Sequence, residues 1–268
     1  MEFHYKSNTK AVDTCNWTGS AYQVGLDNEK DFFSTDVLQV FEKDPSKHAA
    51  LSKFTTKALQ FHFHNPGEHT IDGEEFDLEL HIVHTLNDVP EELAFNYPKF
   101  VVTTVFMKVA SSVSKLNCFQ KDSLKFYDDF MKKVILQQEG ASVTKSFCQS
   151  GEAAVSAGGI DLMPLLDRIN FEKRWLYRGS FTTPPCTEGV LFNIIDDVQY
   201  ILPETLELYR ESRSGEEIGD HRCSKCGGNN RVVQPLHDRQ LYYVTYKQHA
   251  AQFQDKYTCK TTAPQGSE

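Results

Sequence analysis

A strict alternation of polar and aromatic side chains runs through residues 59 to 64, which read LQFHFH. In an extended chain, successive side chains point to opposite faces of a sheet. The alternation therefore places Gln60, His62 and His64 on one face and the two phenylalanine rings on the other. We predict a β-strand here, with a polar face and an apolar back.

A second strand is predicted to follow a tight turn. The pair Asp72-Gly73 favours a two-residue hairpin turn, and residues 78 to 83 alternate again, with His81 as a third imidazole. Two adjacent strands thus offer three histidines. Three neutral imidazoles suit a borderline-soft divalent metal, and zinc with three protein ligands and a free fourth position is the catalytic pattern.

Two other interpretations of this stretch stay open. A histidine in a strand is more often a hydrogen-bonded core or surface residue than a metal ligand. A different metal site also matches the pattern, because Glu68 follows His64 by four residues, as in the first motif of cupins, where that glutamate is itself a ligand. Residues 60 to 84 alone do not distinguish these alternatives.

The composition is that of a globular chain. Of its 268 residues, 40% are hydrophobic, and we find no transmembrane run and no signal segment after Met1. One domain is expected, since β-rich domains often reach this length. The net charge of −9 argues against nucleic acid and anionic membranes as partners. Seven cysteines leave at least one free or paired to another chain, and the missing signal segment, taken literally, indicates a cytosolic chain.

Hydrophobic patterns predict the remaining elements. Segments 27–58 and 214–229 are predicted to be insertions or long surface loops. The second contains Cys223 and Cys226, and a single C-x-x-C favours a surface loop or local disulfide over a second zinc site. Apolar runs and helical spacing predict strands at Phe100–Val109 and Val190–Ile195, helices at Ser123–Gln138 and Pro203–Arg213, and a helical turn at Leu162–Leu166.

A second motif, YRGSFTTPPCTEGV, occupies residues 177 to 190. Together with QFHFH, EHT and ELHIVH before it and QPLHDRQL after it, it resembles the α-class carbonic anhydrases over most of residues 1 to 246. Cupins have no TTPP element. The resemblance implies a mainly β (α+β) fold: a single domain at 1–252 with a large, twisted, mostly antiparallel central sheet and peripheral short helices. A polar tail is expected at 253–268, and the family's N-terminal Gln-Ser-Pro segment is expected to be missing.

The resemblance also implies an activity, the zinc-dependent reversible hydration of carbon dioxide to bicarbonate by a lyase with a small-molecule substrate. His62, His64 and His81 match the zinc ligands, and water takes the fourth position. Hydroxide on zinc attacks carbon dioxide. Thr182 orients that hydroxide by accepting its hydrogen bond while donating its own to Glu68, whose ionised carboxylate only accepts.

Other residues match further functional positions of the family. Gln60 and Glu79 share strand faces with ligands and can accept the other N–H of those rings. Ser20 stands where the proton-shuttle histidine is expected, and Cys186 matches a position that pairs with an N-terminal cysteine in secreted members. The alternative is a carbonic-anhydrase-like binding protein without turnover, although such proteins typically lack a zinc histidine. The apolar wall for carbon dioxide, also compatible with an ordinary core, comprises Val83, Val102, Phe181, Thr183, Val190 and Phe192, the last where tryptophan is usual.

Overall fold

One large sheet organises the described part of the chain. The computed structural model describes residues 3–4, 11–17, 22–26, 32–33, 55–87, 98–139, 142–146, 163–214 and 228–245. Its strands are β1 (Phe3–His4), β2 (Ala11–Trp17), β3 (Tyr22–Leu26), β4 (Phe32–Phe33), β5 (Thr55–His64), β6 (Leu78–Asn87), β7 (Phe100–Val109), β8 (Leu136–Glu139), β9 (Ser142–Ser146), β10 (Lys173–Ser180), β11 (Glu188–Ile201) and β12 (Tyr242–Thr245). Its α-helices are α1 (Cys118–Ile135), α2 (Met163–Leu166) and α3 (Pro203–Ser214).

Eight strands form the large sheet, in the order β12-β10-β11-β7-β6-β5-β3-β2. Neighbouring strands are antiparallel except β7 and β11, which are parallel. Two small sheets pair β1 with β4 and β8 with β9. The predicted mainly β fold with a mostly antiparallel central sheet is therefore confirmed. No helix among the described residues is long and apolar enough to cross a membrane.

The predicted turn lies within the connection between β5 and β6. Asp72 and Gly73 have φ values of 52° and 79°, in the left-handed region that glycine adopts without strain. Ile71 and Glu74 on either side exchange two backbone hydrogen bonds, of 3.3 and 2.8 Å. This turn confirms the hairpin prediction for the dipeptide, and the chain then returns as β6 alongside β5.

The central strand β7 separates two apolar clusters. Its residues 101 to 107 are all buried, which confirms the predicted strand covered on both faces. Val105 and Met107 belong to a cluster that includes buried residues of α1, such as Met131. Val102 and Phe106 belong to a second cluster with residues of β10 and β11. Because side chains alternate along a strand, α1 covers one face of the sheet and leaves the other for the site described below.

Several boundaries differ from those predicted. The helix predicted at Ser123–Gln138 begins five residues earlier and ends at Ile135, because the chain continues directly into β8. The strand predicted to end at Ile195 extends to Ile201 through a shift in register that breaks the apolar pattern. Segment 27–58 is not all loop, since it contains β4 and the start of β5. The predicted helix that begins at Pro203 is confirmed as α3, and the predicted helical turn that ends at Leu166 is confirmed as α2.

Candidate metal centre

Three histidine side chains converge where β5 and β6 pair. His62 and His64 lie two residues apart on β5 and share a face, and His81 of β6 pairs directly opposite His62. The three ring centroids lie 4.8 to 5.3 Å apart, and one nitrogen of each ring lies within 4.8 Å of the other two. All three side chains are buried. The residues predicted to be zinc ligands therefore form one cluster.

Gln60 and Glu79 make the contacts predicted from their strand faces. Nδ1 of His62 lies 2.8 Å from Oε1 of Gln60, and Nε2 of His81 lies 2.6 Å from Oε1 of Glu79. Amide and carboxylate oxygens only accept hydrogen bonds, so these ring nitrogens carry the protons. Nε2 of His62 and Nδ1 of His81 are left with lone pairs, and the hydrogen bonds fix the orientation of each ring.

His64 is held by Asn229, a residue that no sequence motif had indicated. Nδ1 of His64 donates to the carbonyl oxygen of Asn229 at 3.1 Å, and Nε2 is buried with no hydrogen-bond partner among the described residues. A buried polar atom without a partner costs free energy, which a bound metal ion would offset. Three converging imidazole nitrogens, one of them otherwise orphaned, fit a zinc ion with an open fourth position.

Asn229 is tied to the end of β5 by several hydrogen bonds. Its backbone N–H donates to the carbonyl of Asn65 at 3.0 Å, its Oδ1 accepts from the N–H of Asn65 at 2.8 Å, and its Nδ2 donates to the carbonyl of Phe63 at 2.9 Å. A Cβ atom on Gly228 would lie 1.5 Å from the carbonyl oxygen of Asn65, so glycine is required there. The last two residues of the segment 214–229 therefore belong to the site, and the run Gly-Gly-Asn-Asn was the available signal.

Burial keeps two of the rings neutral. Desolvation lowers the pKa of His64 to about 3 and that of His62 well below its usual value, and neighbouring imidazoles add to the effect. Burial also opposes charge on His81, but the hydrogen bond and charge of Glu79 outweigh it and raise the pKa of His81. Burial alone would raise the pKa of Glu79, yet His69 and His81 hold it well below its usual value. Metal ligands must be deprotonated, so the neutral rings are ready to bind.

Glu68 lies beside this cluster without being part of it. Ligand atoms converge in two groups among the described residues, one of His62, His64 and His81 and one of His69, Glu79 and His81. Glu68 belongs to neither group, although its carboxylate oxygens lie 3.3 Å from Nδ1 of His64 and 3.9 Å from Nδ1 of His81, so the cupin-like arrangement with Glu68 as a ligand does not match the structure. Oε1 of Glu68 accepts from the backbone N–H of Arg231 at 2.7 Å. Burial raises the pKa of Glu68, while Arg231 and the nearby Thr182 hydroxyl act to lower it. Oε2 has no fully formed hydrogen bond among the described residues, and Thr182 is the hydroxyl that approaches this carboxylate.

A further histidine, also missed from sequence, connects the outer groups. Nδ1 of His69 lies 2.6 Å from Oε1 of Glu79, and Nε2 lies 2.6 Å from the hydroxyl of Tyr177. Oε2 of Glu79 accepts the backbone N–H groups of Glu68 and His69 at 2.7 and 2.9 Å. The carboxylate that holds His81 is therefore itself fixed by three further donors. The EHT motif contains both donating backbone groups, which was the signal for this contact.

A cavity of about 240 Å³ with an apolar wall opens beside His62 and His81. Val190, which was predicted to line it, is not among its lining residues and is buried in the core cluster that contains Val83, Val102 and Phe192. The ring of Phe192 stacks on Tyr177, with centroids 5.0 Å apart. The predicted wall residues that do line the cavity are Val83, Val102, Phe181, Thr183 and Phe192, next to Thr182.

The remaining predictions concern cysteines and the shuttle position. Cys186 carries a free thiol, so the disulfide of secreted relatives is not present at this residue, whereas Cys118 is disulfide-bonded. Ser20, Cys223 and Cys226 lie outside the described residues.

Comparison with known proteins gives consistent matches. The family model described as "Eukaryotic-type carbonic anhydrase" matches residues 1–245. Alpha carbonic anhydrase 7 of Arabidopsis thaliana is 28% identical over 204 residues, which are 76% of this chain and 59% of that protein. Dioscorin DB3S of Dioscorea polystachya is 27% identical over 208 residues, 78% of this chain and 62% of that protein. The chain thus spans about three fifths of the length of these curated relatives.

Solved structures show the same fold. The α-carbonic anhydrase of Photobacterium profundum aligns with a TM-score of 0.56 at 20% identity, covering 90% of this chain and 80% of that one. A dioscorin complexed with ascorbate aligns with a TM-score of 0.54 at 21% identity, covering 91% and 79%. At this level of identity the alignments describe the architecture.

Proposed function

This chain belongs to the eukaryotic-type carbonic anhydrase family, and on that premise we propose that it is a zinc enzyme that reversibly hydrates carbon dioxide to bicarbonate and a proton. The observation that carries the proposal is the convergence of three buried imidazole nitrogens beside an apolar cavity. In this proposal, the three histidines would hold the zinc ion that activates water, and the cavity beside them would hold the substrate.

His62 and His64 would hold zinc through Nε2, and His81 through Nδ1, because the outer hydrogen bonds occupy the opposite nitrogens. A bound zinc ion supplies Lewis acidity that makes water a nucleophile at neutral pH. Gln60 and Glu79 keep their rings in one tautomer and one orientation, which favours a rigid site.

Glu68 and Thr182 would orient the attacking oxygen. Glu68 is fixed by the backbone N–H of Arg231, and its ionised carboxylate accepts hydrogen bonds without donating any. The Thr182 hydroxyl must therefore direct its proton to Glu68 and its lone pairs toward the cavity that it lines. A lone pair there accepts the proton of the attacking oxygen and leaves the oxygen's own lone pair facing the substrate.

The apolar wall would hold carbon dioxide, which has no net dipole. Val83, Val102 and Phe181 offer the substrate contacts without hydrogen-bonding groups, so they favour it over ordered water. A histidine that titrates near neutral pH would relay the product proton, and Ser20 cannot hold an extra proton at that pH. Proton release is therefore proposed to depend on external buffer.

The test is stopped-flow measurement of carbon dioxide hydration on purified protein with its bound zinc quantified. His64→Asn should lose zinc and hydration together, whereas the same substitution at the exposed His237 should change neither. Full zinc occupancy in His64→Asn would contradict the ligand assignment. One zinc per wild-type chain without hydration would support a family member that binds but does not turn over.

A further inference from the structure

A second, larger cavity shares Thr182 with the first and is also lined by Glu68. It encloses about 390 Å³, and none of the three clustered histidines lines it. Small-molecule sites typically enclose roughly 300 to 1,000 Å³. Apart from Glu68 and Thr182, the proposed hydration reaction assigns no role to the lining of this cavity, which therefore indicates what else the chain binds.

Apolar side chains form much of its wall. Trp175 lines one side, and its indole Nε1 is buried with no hydrogen-bond partner among the described residues. The indole ring gives the cavity a broad apolar surface. Clustered exposed apolar residues also mark binding surfaces. The exposed members of this wall are Val232, Val233, Leu236 and Leu241, at 78%, 52%, 50% and 43% exposure.

Arg239 places a fixed positive charge at the cavity. Its guanidinium lies 5.4 Å from the ring centroid of Tyr177, and it donates to the carbonyls of Leu236 and Pro235 at 3.0 and 2.6 Å. These hydrogen bonds hold the group in place. Within the part of the chain that the structure describes, it pairs with no carboxylate. Its charge is therefore available to an anion.

The other charged groups at the cavity are already engaged or peripheral. Arg231 donates its backbone N–H to Glu68 and a guanidinium N–H to Ser180 Oγ at 3.1 Å. Glu68 accepts that backbone N–H and faces the metal cluster, and Asp72 lies at the exposed turn. With two guanidinium groups and two carboxylates lining the cavity, a ligand with a single negative charge matches Arg239 better than a dianion does.

We infer that this cavity binds a small organic monocarboxylate with an apolar body. The carboxylate pairs with Arg239, and the apolar body lies against Trp175 and Val233. Because the cavity reaches Glu68 and Thr182 but not the clustered histidines, the ligand binds without contacting the metal position. This inference concerns a site separate from the proposed reaction and stands whether or not hydration is observed.

The test is isothermal titration of the purified full-length chain with 4-phenylbutyrate, compared with its neutral analogue 4-phenylbutanol. The acid should bind at least about tenfold more tightly than the alcohol, because a hydrogen bond to a charged group contributes at least about a tenfold gain in affinity. Arg239→Met should weaken binding of the acid about tenfold and abolish the preference. Arg178→Met is the matched control, because Arg178 is an exposed residue of the same strand as Trp175 but on the other face.

Two further measurements locate the probe. Val233→Asp should weaken binding of the acid, although it leaves Arg239 in place. A sulfonamide that occupies the metal should leave binding of 4-phenylbutyrate unchanged. The chain has two tryptophans, so Trp17→Phe leaves Trp175 as the reporter, and its emission should change on binding. Equal affinity in Arg239→Met and wild type, loss of binding when a sulfonamide is present, or no saturable binding would each overturn the inference.

Discussion

Replacing Glu79 by glutamine changes a single atom of the carboxylate that holds His81. In the native chain, Oε1 lies 2.6 Å from a ring nitrogen of each of His69 and His81, and Oε2 accepts two backbone N–H groups at 2.7 and 2.9 Å. A glutamine amide keeps one accepting oxygen and presents an NH₂ group on the other side. With its oxygen on the two backbone N–H groups, the amide turns its NH₂ group toward the ring nitrogens of His69 and His81, which carry protons in the native chain.

The two hydrogen bonds that His69 and His81 donate to a charged carboxylate are therefore lost, and each ring must shift to its other tautomer to accept from the NH₂ group. Each contributes about 1.5–3 kcal/mol, so the gross loss is about 3–6 kcal/mol. The neutral amide is less costly to bury than the carboxylate of Glu79, which offsets part of this loss. We expect the free energy of unfolding of metal-free Glu79→Gln to be about 3 kcal/mol lower than that of the metal-free wild type. Zinc affinity should also fall about 10- to 100-fold, because the acceptor no longer orients the ring of His81.

The assay combines urea unfolding of the metal-free protein, followed by circular dichroism, with a zinc competition titration of the folded protein. Glu75→Gln, the same substitution at an exposed carboxylate, should alter neither quantity. If Glu79→Gln matched wild type in both stability and zinc affinity, the hydrogen bonds to Glu79 would contribute to neither property, contrary to the prediction.

Other substitutions test separate parts of the fold and of the site. Gly228→Ala places a Cβ atom where the backbone of Asn65 lies, so it should lower both thermal stability and zinc affinity. In Gly73→Ala the added Cβ atom has no neighbour within 4 Å, so this variant should lose only about 1 kcal/mol of unfolding free energy, from the strain of its left-handed φ. Thr182→Ala should retain zinc and lose hydration on the order of a hundredfold, measured by stopped flow; near wild-type turnover would indicate a structural role. Burial raises the pKa of Asp197 to about 6 from 3.8, so the folded state holds a proton that the unfolded state releases. Stability should therefore fall as pH rises from about 4 to 6, and Asp197→Asn, unlike exposed Asp238→Asn, should flatten that slope in urea unfolding.

The features predicted correctly from sequence depend on local periodicity. The alternation around His62 and His64 fixes which side chains share a face of β5, and pairing with β6 then brings His81 alongside. The uninterrupted apolar run of β7 likewise indicates burial on both faces. These patterns are properties of a few consecutive residues, so no knowledge of the tertiary fold is needed to interpret them.

The missed features depend on contacts between distant segments. Asn229 reaches His64 across 165 positions of the chain, and the carbonyl oxygen it offers is common to every residue type, so no side-chain pattern marks it. His69 looks like a turn residue until Glu79 and Tyr177 are placed on either side of it. The end of α1 at Ile135 is decided by pairing of the following residues with β9, which overrides their helical spacing.

X-ray absorption at the zinc edge of the purified chain distinguishes coordination by the three histidines from coordination by cysteines. Coordination by Nε2 of His62, Nε2 of His64 and Nδ1 of His81 predicts three imidazole nitrogens and one further light atom, all at about 2.0–2.1 Å, with no sulfur. A sulfur shell at about 2.3 Å would place the metal on cysteines such as Cys223 and Cys226, and would contradict the three-histidine site.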